Sequence, residues 1–271
     1  MDTQERQRAV LRNTRLFVLD MDGTFYLGGQ ILPGAAEFLR AVQRAGKEFL
    51  FFTNNSSRAP ADYLKKLAGM GCPIAREQLM TSGDVTIQYL KTHYPGKRVY
   101  VMGTPPLVES FAAAGIPLVE NAQPDIVVVA FDTTLTYEKL TRACDYLRGG
   151  ALFLATHLDI NCPTETGFIP DCGSFCACIS LSTGVQPKYL GKPFAETVEQ
   201  VVARTGCPRS QITFVGDRLY TDVATGVRNG AAGVLVLTGE TQPADIPRSD
   251  VQPDAVFASL GEMGRLLDQM D

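Results

Sequence analysis

Short apolar runs alternate with amphipathic stretches of helical period along almost the whole chain. Strands that are buried on both faces read as continuous apolar runs, and their alternation with helices of about 10–15 residues is typical of parallel strands joined by crossover helices. The pattern therefore predicts an α/β fold with a doubly wound parallel sheet. The predicted strands are 16–19, 48–52, 98–102, 126–130, 151–155, 212–215, 233–237 and 255–257, and the predicted helices are 35–45, 59–70, 82–94, 105–114, 136–148, 174–183, 195–205, 220–229 and 260–269.

The chain is longer than a single core needs, because its 271 residues exceed the usual size of one domain. Acidic residues follow predicted strands at Asp20 and Asp217. By contrast, the sequence from about residue 82 to 184 shows the ordinary alternation of predicted strands and helices of an α/β domain. We therefore predict a Rossmann-like core made of residues 1–81 and 186–271. A second α/β domain, residues 82–185, is predicted to be inserted into it.

The charge balance limits the classes of partner. Lys and Arg number 25 against 29 Asp and Glu, which gives a formal charge of −4 and lacks the basic excess that nucleic-acid binding requires. The longest apolar runs, such as residues 126–131, are far shorter than the ~18–20 residues of a membrane span. Residues 1–15 are charged and polar, without a secretory apolar region. We expect a cytoplasmic protein that binds neither nucleic acid nor membrane.

The seven cysteines do not indicate a set of disulfides, because their number is odd and several lie in segments that are apolar or predicted to be helical. Three of them, Cys172, Cys176 and Cys178, lie close together in the sequence. Their C-x3-C-x-C spacing is not a standard zinc spacing, and no histidine completes it. Packing inside a helix is the favoured interpretation.

Two carboxylates stand at the end of the first predicted strand. Residues 16–19 run directly into Asp20-Met-Asp22-Gly-Thr, which combines a buried strand end with a glycine-containing turn. Ligands of open α/β sheets bind outside the carboxyl ends of the strands. An Asx turn that merely ends the strand is the alternative, but a binding or catalytic site at Asp20 and Asp22 is the stronger interpretation.

Three further segments carry polar groups at comparable positions. The strand 48–52 is followed by Thr53, Asn54 and Asn55, which suit a neutral anion cradle at the start of a helix, although an ordinary helix cap also explains part of this run. Lys192 lies between a glycine and a proline. The strand 212–215 ends at Gly-Asp217, with a second carboxylate five residues on. Paired carboxylates without His or Cys favour Mg²⁺.

These four segments, D20-M-D-G-T24, T53-N-N, G191-K192-P and G216-D217-R-L-Y-T-D222, resemble the motifs of the haloacid-dehalogenase-like superfamily of aspartyl-phosphate phosphohydrolases. The insert between the second and third motifs, and the motif sequences T-N-N-S-S-R and G-D-R-L-x-T-D, are similar to those of subfamily IIA. That subfamily includes NagD-like nucleotide and sugar monophosphatases, p-nitrophenyl phosphatases and phosphoglycolate phosphatases. The resemblance implies a magnesium-dependent phosphatase of small phosphomonoesters that works through a phospho-aspartate intermediate.

The resemblance also implies a role for each matching residue. Asp20 is expected to be the nucleophile and Asp22 the general acid and base, while Lys192 stabilises the phosphate charge. The remaining roles are phosphate binding by Thr53, Asn54 and Asn55, and Mg²⁺ binding by Asp20, the backbone carbonyl of Asp22, Asp217 and, directly or through water, Asp222. A count of charges agrees with this: the three carboxylates of Asp20, Asp217 and Asp222, one Mg²⁺ and Lys192 sum to zero when Asp22 is protonated.

The resemblance implies that the inserted domain, residues 82–185, is a cap that chooses the leaving group. His157 and Asp159 follow a predicted cap strand and are candidate substrate contacts, although a purely structural role in their loop is an equal alternative. Related proteins often carry Asn and Pro where His157 and Leu158 stand, and this departure leaves the substrate preference open.

Other functions remain open at this stage. The same phospho-aspartate chemistry serves a phosphotransferase or phosphomutase, and Asp20 alone suits a receiver-like module that accepts phosphate as a signal. The insert and the second acidic strand end argue against the receiver. Assembly of identical chains through the cap is a further open prediction.

Overall fold

The computed structural model describes residues 2–164 and 166–270, and the described chain divides into two compact units. The first unit contains the residues as far as Thr53, then Leu64–Met80, and those from Lys192 onward. The second contains Asn54–Tyr63 and Thr81–Gly191. In the part of the chain that the structure describes, no helix is both long and apolar enough to cross a bilayer.

Fourteen strands and ten α-helices are described. The strands are β1 (Leu16–Leu19), β2 (Tyr26–Leu27), β3 (Gln30–Ile31), β4 (Glu48–Thr53), β5 (Leu79–Thr81), β6 (Val99–Met102), β7 (Ile126–Val129), β8 (Leu152–Ala155), β9 (Asn161–Thr164), β10 (Gly167–Pro170), β11 (Lys188–Tyr189), β12 (Ile212–Gly216), β13 (Ala232–Val236) and β14 (Ala255–Phe257). The helices are α1 (Thr3–Asn13), α2 (Ala35–Arg44), α3 (Pro60–Gly69), α4 (Ser82–His93), α5 (Pro105–Ala113), α6 (Tyr137–Arg148), α7 (Cys172–Thr183), α8 (Ala195–Thr205), α9 (Ala224–Arg228) and α10 (Leu260–Asp268). Short 3₁₀ helices cover Arg76–Gln78, Arg209–Gln211 and Ile246–Arg248, and a π-helical turn covers Leu219–Val223.

The first unit is built on a six-stranded sheet in the order β14-β13-β12-β1-β4-β5. Strand β1 is buried along its whole length, and it pairs in parallel with β12 on one side and with β4 on the other. Leu19 lies opposite both Val215 and Phe51, so the three strands end at nearly the same level. This register brings the polar residues that follow β1 and β12 to one edge of the sheet.

The second unit is built on a separate four-stranded parallel sheet in the order β11-β8-β7-β6. Its apolar core joins the inner residues of β6, β7 and β8 to those of α6 and α7. Helix α7 begins at the N-cap residue Asp171, whose carboxylate accepts a hydrogen bond from the backbone of Cys172. The antiparallel hairpin β9–β10 leads into this helix.

The predicted fold class is confirmed, since the chain has a six-stranded parallel core sheet and a separate, inserted four-stranded sheet. The division into units differs from the predicted bounds at three places, the smallest of which is the inclusion of Thr81 in the second unit. Residues 188–189 form β11 on the edge of the second sheet, so the second unit extends to Gly191. Residues 54–63 also belong to the second unit, although they directly follow β4 of the first.

Several short elements were not predicted. The hairpins β2–β3 and β9–β10 have few apolar residues in alternation, and β9 and β10 are largely exposed, so no buried face marks them in the sequence. Helix α1 was not predicted because its sequence is mostly polar, and only two of its eleven residues are buried. A capping box at Asp2 and Glu5 is the signal that marks its start.

Candidate active site

The centre of the site is a buried ammonium group held between two carboxylates of the first unit. The Nζ atom of Lys192 lies 2.6 Å from Oδ1 of Asp20 and 2.5 Å from Oδ1 of Asp222. Lys192 and Asp222 are almost fully buried, whereas Asp20 keeps 15% of its side chain exposed. Asp20 is therefore the member of this group that a small molecule can reach.

Asp217 follows β12 and is fixed by backbone donors and by close glycines. Its Oδ2 atom accepts a 2.7 Å hydrogen bond from the backbone of Glu240. Gly23 has φ +80°, and a Cβ atom there would lie 2.8 Å from the same oxygen, so this position needs glycine for both its conformation and its lack of a side chain. A Cβ atom at Gly239 would also collide with the carboxylate. The glycine of the D-x-D-G-T segment thus makes room for the carboxylate of the other strand end.

Asp222 lies in the π-helical turn Leu219–Val223, which carries it back toward the end of β12. Its Oδ2 atom accepts a hydrogen bond of 3.1 Å from the backbone of Arg218. A Cβ atom at Gly216 would collide with the side chain of Asp222. The Gly-Asp pair at the strand end therefore lets the second carboxylate approach.

The three carboxylates of Asp20, Asp217 and Asp222 form a potential metal site, since one ligand oxygen from each lies within 4.8 Å of the others. Carboxylate oxygens without nitrogen or sulfur suit a hard cation such as Mg²⁺. The ammonium of Lys192 neutralises only one of the three negative charges. The donor set and the residual charge both fit a divalent cation.

Burial and mutual repulsion change the acidity of these groups. Burial raises the pKa of Asp20 well above its ordinary value, and the neighbouring Lys192 opposes this shift. Burial, together with the charge of Asp222, raises the pKa of Asp217 to about 6. Burial alone would lower the pKa of Lys192, but the carboxylates of Asp20 and Asp222 outweigh it and raise that pKa above its ordinary value. Without a cation, the site is strained electrostatically at neutral pH.

We expect the Asp217→Asn variant to be more stable than the wild type when both are metal-free at pH 7.5. A carboxyl group whose pKa rises on folding destabilises the folded state when it is ionised, and this cost is full above a pH of about 6 and falls progressively as the pH drops from there toward the ordinary pKa of 3.8. The rise in the pKa of Asp217 from 3.8 to about 6 corresponds to a loss of about 2–3 kcal/mol in the free energy of unfolding. Chemical unfolding in EDTA at pH 7.5 and at pH 5 measures the difference.

The stability gain should shrink at pH 5, where the wild-type carboxyl is already protonated. Asp250→Asn is the matched control, because its side chain is 81% exposed. An Asp217→Asn variant that is less stable than the wild type in EDTA at pH 7.5 would contradict the expectation.

Asp22, the second carboxylate of the first motif, is exposed and is oriented by a residue that the sequence analysis missed. The hydroxyl of Tyr26 donates a 3.1 Å hydrogen bond to Oδ2 of Asp22. Tyr26 is fully buried, and the ammonium of Lys66 lies 3.8 Å above its ring centre. Asp22 and Tyr26 are four residues apart in the turn after β1, and their backbones form an isolated β-bridge. This short spacing is the only feature of the sequence that relates the two residues.

The predicted phosphate-binding run is divided between the two units. Thr53 is the buried last residue of β4 in the first unit. Asn54 and Asn55 belong to the second unit, where Oδ1 of Asn55 accepts hydrogen bonds from the backbone and hydroxyl of Ser57. The amide of Asn54 donates to Oδ2 of Asp159 over 3.1 Å.

His157 is buried in the second unit, and both of its ring nitrogens are hydrogen-bonded there. Nδ1 lies 2.9 Å from the hydroxyl of Thr156, and Nε2 lies 2.8 Å from Oδ1 of Asp171. Burial by itself would lower the pKa of His157, but the nearby Cys172 and Asp171 outweigh it and raise that pKa to about 9. The seven cysteines are all free thiols, as predicted.

Comparison with known families agrees with this arrangement of residues. Residues 17–117 match the model of the haloacid dehalogenase-like hydrolases, and residues 189–263 match a second model described as HAD-hydrolase-like. The chain belongs to the haloacid dehalogenase-like hydrolases. The first match contains the motif of Asp20, and the second contains Lys192, Asp217 and Asp222.

Relatives of full length place the chain in the NagD and p-nitrophenylphosphatase-like subfamily IIA of these hydrolases. An acid sugar phosphatase of Staphylococcus saprophyticus is 33% identical over 96% of this chain and 100% of its own length. The 5'-nucleotidase YutF of Bacillus subtilis is 36% identical over 91% of this chain and 96% of its own. The structure of a 4-nitrophenylphosphatase from Thermotoga maritima is 45% identical and superposes with a TM-score of 0.91 over 94% of this chain and 98% of that one. The chain is accordingly a phosphatase of this family.

Proposed function

We propose that this hydrolase is a magnesium-dependent phosphatase that removes phosphate from small phosphomonoesters through a phospho-Asp20 intermediate. The observation that carries the proposal is the contact of the Lys192 ammonium with both Asp20 and Asp222. It leaves one partly exposed carboxylate beside a fixed positive charge and two buried acids. This combination suits attack on a dianionic phosphate, which would otherwise be repelled.

In the first step, an oxygen of Asp20 attacks phosphorus in line with the leaving alkoxide. The new bond joins the Asp20 oxygen to phosphorus, and the bond from phosphorus to the leaving oxygen breaks. Asp22 gives its proton to the leaving oxygen. Lys192 holds the negative charge that develops on the transferring group, and Thr53, Asn54 and Asn55 are proposed to bind its oxygens.

In the second step, Asp22 takes a proton from water as the water oxygen attacks phosphorus. The bond between phosphorus and Asp20 then breaks, which frees phosphate and restores the carboxylate. Tyr26 keeps the Asp22 carboxyl in one orientation through its hydroxyl. Asp22 also separates this chemistry from dehalogenation, since a halide leaves without a proton.

The metal would be held by Asp20, the backbone carbonyl of Asp22 and Asp217, with Asp222 binding directly or through water. When bound, Mg²⁺ supplies positive charge to the transferring oxygens and compensates the carboxylates. Asp20, Asp217 and Asp222 offer only oxygen atoms, which is the donor set that Mg²⁺ prefers.

The substrate class follows from the relatives, whose names describe action on sugar phosphates, nucleotides and nitrophenyl phosphate. We propose sugar phosphates, nucleoside monophosphates or phosphoglycolate-like esters as substrates of this chain. Direct substrate contact by His157 and Asp159 stays a prediction, and the full burial of His157 does not favour it.

The test is steady-state hydrolysis of p-nitrophenyl phosphate by the purified chain, with and without metal. We expect many turnovers in Mg²⁺, loss of activity in EDTA by at least about 100-fold, and recovery when Mg²⁺ is added back, because the carboxylates repel the substrate when no cation is bound. Full activity in the chelator would contradict the metal assignment. A single stable phosphorylation without turnover would instead indicate a phosphate-accepting module, and a screen of phosphorylated metabolites then identifies the substrate.

A further inference from the structure

A second polar cluster lies in the second unit and shares no residue with the group of Asp20, Asp217 and Asp222. It is formed by His157 and Asp159, in the loop after β8, and by Asp171, the N-cap residue of α7. His157 is fully buried, Asp159 is 8% exposed and Asp171 is 4% exposed. Buried ionisable groups in this number need partners that satisfy their charges.

One carboxylate oxygen in this cluster is unsatisfied among the residues that the structure describes. Oδ2 of Asp159 accepts a hydrogen bond from the side chain of Asn54, but Oδ1 is buried and has no hydrogen-bond partner in the described part of the chain. An unsatisfied buried polar atom is costly, and native proteins rarely leave one without water, an ion or a protein donor. Oδ1 of Asp159 can therefore accept one further hydrogen bond or bind one cation.

The charges of the cluster point to a cation. Among the described residues, no lysine or arginine forms an ion pair with Asp159 or Asp171, and the single basic partner is His157. His157 pairs with Asp171, so Asp159 has no basic partner among these residues. With both carboxylates ionised, the cluster carries more negative charge than one imidazole can neutralise.

The backbone around the cluster is fixed by close packing. The amide of Gly173 donates a 2.8 Å hydrogen bond to the carbonyl of Asp159. A Cβ atom at Gly173 would collide with the carbonyl of Leu158, so glycine is required where the loop meets the first turn of α7. The loop and the helix start are thereby held together, which places His157, Asp159 and Asp171 in one fixed arrangement.

We propose that His157, Asp159 and Asp171 bind one Zn²⁺ ion in the second unit. One ligand atom from each residue lies within 4.8 Å of the others. Zinc binds imidazole nitrogen and carboxylate oxygen at about 2.0–2.2 Å, so a small closure of the cluster completes three protein ligands, with water as a fourth. The mixed nitrogen and oxygen donors favour zinc over magnesium.

The hydrogen bonds of the imidazole suit this role. When Nε2 binds zinc, it releases its proton to solvent and loses its hydrogen bond to Asp171. Nε2 and the Asp171 carboxylate then both bind the same zinc ion. Nδ1 keeps its hydrogen bond to the hydroxyl of Thr156. A metal-bound histidine generally donates its other ring N–H to such a partner, which fixes the ring and its tautomer.

The first experiment uses the unmodified chain in millimolar Mg²⁺, which occupies the all-oxygen site of Asp20. The protein is incubated with zinc, freed of unbound metal by gel filtration, and analysed by atomic spectrometry. Histidine ¹⁵N NMR is recorded on the same sample. The chain has two histidines, so two sets of ring signals are expected. We expect one bound zinc per chain and a shift of the His157 ring signals, while those of His93 stay unchanged.

Variants provide the second arm. We expect His157→Asn, Asp159→Asn and Asp171→Asn each to weaken zinc binding by more than about tenfold, since loss of even an outer partner has that effect. His93→Asn is the matched control and assigns the NMR signals, because His93 is exposed. Circular dichroism checks the fold of each variant.

Two results would overturn the proposal: retention of no zinc by the unmodified chain, or retention that leaves the His157 signals unchanged. Both are measured without any substitution, so a variant that fails to fold does not weaken the test. Zinc that is lost in Asp217→Asn but kept in Asp159→Asn would also overturn it, because the ion would then lie at the site of Asp20. Hydrolysis of p-nitrophenyl phosphate is not a readout here.

Discussion

We expect the Asp20→Asn variant to lose hydrolysis of p-nitrophenyl phosphate by at least about 10⁴-fold, which is the size of effect that removal of a catalytic nucleophile produces. The amide keeps the shape of the carboxyl group but cannot form the phospho-enzyme. The fold is expected to survive, because burial already disfavours the charge at this position, which raises the pKa of Asp20. Initial rates under saturating Mg²⁺ measure the loss, and thermal unfolding checks the structure.

Asp250→Asn serves as the control for Asp20→Asn, since it removes the same charge from an exposed surface carboxylate. It should retain the wild-type rate. The decisive companion measurement is trapping of the acyl phosphate after rapid quenching, which should label the wild type and not Asp20→Asn. An active Asp20→Asn protein, with a labelled intermediate, would remove Asp20 from the role of nucleophile.

The Lys192→Met variant is expected to lose both activity and stability. Removal of one preorganised group that faces developing charge costs about 10²–10³-fold in kcat. It also leaves the carboxylates of Asp20 and Asp222 buried without their shared cation, and breaking such a buried pair costs about 3–5 kcal/mol. Steady-state kinetics and chemical unfolding at pH 7.5 measure the two losses.

Lys65→Met is the control for Lys192→Met, because Lys65 is exposed. It should change neither quantity measurably. Mg²⁺ should restore part of the stability of Lys192→Met, since a divalent ion supplies positive charge to the same carboxylates. A Lys192→Met protein that keeps the wild-type kcat would contradict the assigned role of the ammonium group.

The strands that carry the site could be predicted from the sequence because their signals are local. The run 16–19 is apolar and ends at an acid, and the structure has β1 at these residues with the same bounds. The run 212–215 behaves in the same way at β12, which ends one residue later. Parallel pairing then brings Asp20 and Asp217 to one edge of the sheet, and this follows from fold class alone.

Contacts that depend on tertiary packing could not be predicted in this way. The hydrogen bond from Tyr26 to Asp22 requires the turn after β1 to fold back, and the apolar pattern of residues 25–26 does not specify that turn. The pairing of His157 with Asp171 joins residues 14 apart across an exposed hairpin that the sequence analysis did not identify. The edge strand β11 has two residues, too few for any periodic signal.

The long separation in sequence between Asp20 and its ion-pair partner has a consequence for synthesis in the cell. The lysine that it contacts is encoded 172 residues later, and Asp222 follows 30 residues after that. At about 5–20 residues per second, a ribosome needs roughly 10–35 s to reach that lysine after it has made Asp20. If these residues act as proposed, a growing polypeptide stays inert toward phosphate esters throughout this interval, and a product that is terminated before the codon of Asp222 carries Asp20 without its partners.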